Sequence, residues 1–164
     1  MTTAQQLVET KQRLEELRKQ AVTERIEELR TRLKEAKRLA RAARDEFAKL
    51  RQKFKKYEGQ HEQYVVACAK IEYQLEELAN MRANEQFPSE AEVAEWAKLE
   101  AQLSRKLETA RQLRDRARDA REAARTEAVS ADQRYVHFAQ AAQTLENEID
   151  RLKTGGYPGG VFRV

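Results

Sequence analysis

Few side chains in this sequence are of a type and spacing that could do chemistry. Glu58 and His61 stand three residues apart, the Glu-x-x-His spacing with which helix bundles build carboxylate-bridged metal sites. Such sites draw further ligands from other helices, and the only other histidine is His137. The plainer reading is a histidine on a helix seam, beside Arg114. Cys68 is the sole cysteine, so an internal disulfide is excluded. A reactive thiolate needs a nearby cation or histidine to lower its pKa, and none is placed to do so; a buried, inert thiol is expected. Arg114 and Arg121 fall in phase with apolar residues. They could hold an anionic partner, but their stems can equally pack past Tyr57 and Phe54 while the guanidinium groups stay wet. No Gly-rich phosphate loop, Ser–His–Asp arrangement or pair of buried carboxylates is visible. No catalytic, cofactor-binding or metal residue is therefore expected, and the chain is read as a non-enzyme.

The elements that must position these residues are legible in the composition. Of 164 residues, 37% are charged and 40% hydrophobic, with only five glycines and two prolines. Ala, Glu, Lys, Leu and Arg dominate, as in long helices and coiled coils. Helix breakers cluster at Pro88 and in the tail from Gly155 to Gly160. Ser89, followed by Glu90 and Glu92, suits an N-cap with acids in the first turn. The pattern predicts helices over 3–84 and 90–153, with a turn at 85–89. Alternating steps of three and four from Ile26 pass through Leu29, Leu33, Ala36, Ala40, Ala43, Phe47, Leu50, Phe54, Tyr57, His61, Tyr64, Cys68, Ile71, Leu75 and Leu78. The phase does not slip at Gly59, so one continuous helix is predicted there. The second helix repeats the pattern from Val93 to Leu152, interrupted by the charged Glu100, Arg114 and Arg121.

Folding the chain at Pro88 pairs the helices antiparallel. A turn centred on the loop would set Leu50 opposite Ala124, Phe54 opposite Ala120 and Ala36 opposite Phe138. Large residues then meet small ones in both directions, which close packing requires. The expected fold is thus an all-α, two-helix antiparallel coiled-coil hairpin over 22–153. An N-terminal helical overhang over 1–21 and a Gly/Pro-rich tail over 154–164 flank it. Leu99 and Leu113 widen the apolar stripe of the second helix and suggest room for a third helix.

The net charge of +4 conceals a segregation. Segment 30–56 is basic and segment 61–105 acidic. The band of Lys49, Arg51, Lys53, Lys55 and Lys56 is the candidate polyanion site. Its aromatic residues, Phe47 and Phe54, lie on the seam and are not free to stack on bases. Asp119, Glu122, Glu127 and Asp132 are expected to oppose the band, so nucleic-acid binding is the rival reading rather than the leading one.

The two termini carry the partner-binding candidates. Leu7, Leu14, Leu17 and Ala21 form a stripe displaced by two residues from the main seam. That is about 200° around the helix, so the stripe points away from the hairpin partner. The tail ends in apolar Tyr157, Val161, Phe162 and Val164, a leash suited to docking on another subunit. With no apolar leader and no long apolar run, no membrane span is expected. A cytoplasmic protein, or one built into an assembly from the cytoplasm, is the expectation. The reading is a structural or adaptor subunit held through its termini by a protein partner or by self-association. In outline, two long antiparallel helices with overhanging ends resemble the small coiled-coil stalk proteins of flagellar and type III secretion ATPases. That resemblance implies a stalk role as a further alternative, and the Gly-rich tail departs from it.

Overall fold

In a computed structural model the chain forms two helices, α1 over Thr3–Asn84 and α2 over Glu90–Lys153. The structure describes residues 2–155. Both helix starts are capped by side chains. The backbone N–H of Gln5 donates to Thr2 Oγ1 (3.4 Å), and Thr2 N–H donates to Gln5 Oε1 (3.1 Å). This reciprocal pairing satisfies two N–H groups at the start of α1. Ser89 caps α2: its Oγ accepts from the Glu92 N–H at 3.2 Å, and Glu90 and Glu92 lie in the first turn. Just beyond the end of α2 at Lys153, Gly155 with a φ of 84° turns the chain out of the helix in the left-handed region where a side chain is disfavoured. Gly59 sits inside α1 without a break.

The heptad positions named above on α1 are all buried or half-buried, from Ile26 to Leu78. On α2 the same holds except at Val93 and Glu100. The period of 3.5 thus marks the side of each helix that meets the other. Buried residues on α2 are mainly alanines, including Ala110, Ala117, Ala124, Ala128, Ala131 and Ala142. Small side chains let the backbones approach closely but leave little apolar area to bury.

The chain divides into two units. The first comprises residues 1–46 and 130–164. Its core is Leu29, Ile149 and Leu152, with Val22, Ile26, Leu33 and Leu145 packed against them. Leu29 is 0% exposed. Ion pairs tie the helices at the margins: Arg25 to Glu148 (3.3 Å), Lys37 to Glu146 (2.8 Å) and Arg134 to Glu46 (2.9 Å). The second unit comprises 47–129. Cys68, Leu107 and Ala110 form its core, with Ile71 and Leu75. Arg82 reaches Glu100 at 2.6 Å and Arg111 reaches Glu72 at 3.3 Å.

These pairings correct the expected register by about one helical turn. A fold centred on Pro88 would set Cys68 opposite Lys106 and Leu29 opposite Leu145. Instead Cys68 packs on Leu107 and Ala110, and Leu29 is buried with Ile149 and Leu152. The cause lies at the turn. Residues Glu90–Glu95 are exposed, and Trp96 is the first half-buried residue of α2. The opening turns of α2 are spent before it meets α1, so every facing residue lies farther along α2 than a symmetrical turn allows.

Candidate functional site

The residues suspected of chemistry do not converge. His61 Nδ1 lies 3.5 Å from Arg121 Nη1, part-buried between the helices. The register shift thus moves His61 away from Arg114, its expected neighbour. Arg114 instead donates to Asp115 (3.1 Å), and Arg121 also pairs with Glu122 (3.3 Å). His137 stands edge-on to its neighbour Phe138 in the first unit. Among the described residues there is no group of three or more His, Cys, Asp or Glu side chains able to hold a metal. Cys68 is buried among Leu107, Ala110, Ile71 and Leu75.

The basic band stands in solvent. Lys49, Arg51, Lys53, Lys55 and Lys56 are all exposed. The acids expected to oppose it do not neutralise it. Asp119 and Glu122 pair with Arg118 and Arg121, turned to their own helix by proximity in sequence. Tyr64, Ala67, Ala110 and Leu113 line a groove between the helices that is open to solvent. Leu113 is half-buried there, and Leu99 is exposed.

The overhang is the longest run of exposed residues among those described. Every residue from Thr2 to Ala21 is exposed, and Val22 is the first to reach the hairpin core. Leu7, Leu14 and Leu17 are 67%, 50% and 61% exposed, each a large apolar side chain on an ordered helix. Val8 is exposed as well, on a different side of the helix, where the backward extension of the main seam runs. Tyr157, Val161, Phe162 and Val164, the tail candidates, lie outside the described residues.

The fold therefore defines an all-α helical hairpin with an exposed N-terminal helical extension. No helix among the described residues is long and apolar enough to cross a membrane. Comparison with protein-family models, with curated proteins and with solved structures gave no match.

Proposed function

We propose that this chain is a non-enzymatic structural or adaptor subunit that docks on a protein partner through the α1 overhang, with the C-terminal tail as a second contact. The observation that carries this reading is the exposed stripe of Leu7, Leu14 and Leu17 on a helical stretch, 3–21, whose residues are all exposed. An apolar stripe repeating at helical spacing usually has an occupant. Substituting all three leucines by Asp should leave the thermal stability of the hairpin nearly unchanged, because none belongs to its core. The same substitution should abolish recovery of the partner in a pull-down read by mass spectrometry. Unchanged recovery would sink the proposal.

One observation favours a second reading. Lys49, Arg51, Lys53, Lys55 and Lys56 make no ion pair among the described residues, which leaves five cations available to a polyanion. Binding of this kind falls steeply with salt. Under the leading reading only weak binding is expected at physiological salt. A tight complex with a duplex there, lost on reversing Lys53, Lys55 and Lys56 to Glu, would move the function to this band.

A further inference from the structure

Resting on the docking role just given to the overhang, we infer that its occupant is a second copy of this chain, bound through the acidic outer face of α1 over 62–77. The argument is one of charge and pattern. With Leu7, Leu14 and Leu17 as the contact face, about 100° per residue puts Lys11 and Arg18 on one margin and Arg13 on the other. The same geometry turns Glu9, Glu15 and Glu16 away. The overhang thus presents apolar side chains between cationic margins. Two overhangs packed on each other would set these cations face to face, which coiled-coil margins disfavour.

The complementary surface is present on the same chain. In the second unit Val66, Ala69 and Tyr73 follow one another by three and four residues on the solvent side of α1. Val66 is 52% and Tyr73 60% exposed, and Ala69 is exposed too. Around them stand Glu62, Glu72, Glu76 and Glu77, with Lys70 the one cation that α1 itself supplies. Glu72 is engaged by Arg111, and the Tyr73 hydroxyl hydrogen-bonds to Glu77. Glu62, Glu76 and Glu77 make no ion pair among the described residues. The overhang face from Leu7 to Arg18 runs for about three helical turns, roughly 17 Å, and the acidic face from Glu62 to Glu77 for about four, roughly 23 Å, so the first fits within the second. The groove beside Leu113 is a poorer fit, because Arg105 and Lys106 line it and would repel Lys11 and Arg13. The overhang and the acidic face are different surfaces, so the contact is heterologous. It propagates from copy to copy or closes into a ring.

The test uses the full chain in sedimentation velocity at low and high salt. Mass should rise with protein concentration at low salt and fall back as salt screens the margins. Lys11→Glu with Arg13→Glu should weaken self-association about tenfold, and so should Glu62→Lys with Glu76→Lys and Glu77→Lys. A chain carrying both sets should assemble again, because the charges are swapped rather than lost. A monomer at every concentration, or no rescue in the double-reversed chain, overturns the inference. Loss of partner recovery on reversing the overhang, with no effect of reversing the acidic face, also overturns it while leaving the docking role intact. If the leucine substitutions in the overhang change neither self-association nor partner recovery, both fail.

Discussion

At the scale of single residues, the hairpin depends on a few large side chains set among alanines. Leu29 has no exposed surface, so Leu29→Ala removes buried atoms and leaves a void. A loss of about 3 kcal/mol is expected in chemical denaturation. Leu14→Ala should change stability by less than about 0.5 kcal/mol, because its side chain is solvated already. Equal effects of the two would mean that the overhang is part of the folded core. A different residue-scale effect lies at Glu35. Its hydrogen bond from Arg38 Nε at 2.9 Å holds its carboxyl below the usual glutamate range. The stabilisation from this pair is therefore complete above the unfolded-state pKa of glutamate and is lost as pH falls through the lowered native value. An NMR titration should show Glu35 with a depressed midpoint that returns to the ordinary range in Arg38→Ala. The residue types of the candidate sites were readable in sequence, but their neighbours were not. His61 was legible as a seam residue, yet its contact with Arg121 depends on where α2 begins to touch α1.

At the scale of the elements, helix existence and bounds follow from local signals. Ser89 caps α2, Pro88 forbids continuation of α1, and the phase of the apolar repeat runs unbroken past Gly59. Each of these acts within a few residues, which is why they were legible. A Cβ built on Gly59 meets nothing within 4 Å, and its backbone is helical. Gly59→Ala should accordingly raise stability by up to about 1 kcal/mol, measured as a higher denaturation midpoint. A destabilising result would show that the glycine admits a close neighbour. Ser89→Ala removes the acceptor for the Glu92 N–H and should cost about 1 kcal/mol. The cross-helix ion pairs are exposed, so each contributes at most about 1 kcal/mol; they help select register more than they hold the helices together.

At the scale of the whole chain, antiparallel pairing was legible from the exchange of large and small residues, but its register was not. A shift of about one turn also sets large residues against alanines, because α2 offers alanine at Ala110, Ala117, Ala124, Ala128 and Ala131 in succession. Sequence pattern could not choose between such solutions; the geometry of the turn does. The native Cys68 provides the check. Ala110→Cys should oxidise to a disulfide with Cys68 inside one chain, whereas Lys106→Cys should not. Efficient bridging from position 106 would restore the symmetrical register. The proposed docking surfaces are legible only in part. The overhang stripe is visible by its displaced phase. The acidity of 61–105 is visible too, but the apolar strip within it is not, since Val66 and Tyr73 become significant only once the opposite side of α1 is known to be occupied.

The alanine seam has a consequence for how such a sequence can change over generations. Each layer touches only the layers next to it, as in a repeat protein, so the seam carries little to mark one heptad from the next. A matched loss of seven residues from each helix, 61–67 together with 115–121, should leave a folded chain with the remaining layers rejoined. An unmatched loss of seven from α1 alone would slide every pairing on one side of the cut by two turns and separate the marginal ion pairs there. Insertions and deletions in this chain are therefore expected to be tolerated as compensated pairs, and circular dichroism of the two deletion variants would show which kind keeps its helices.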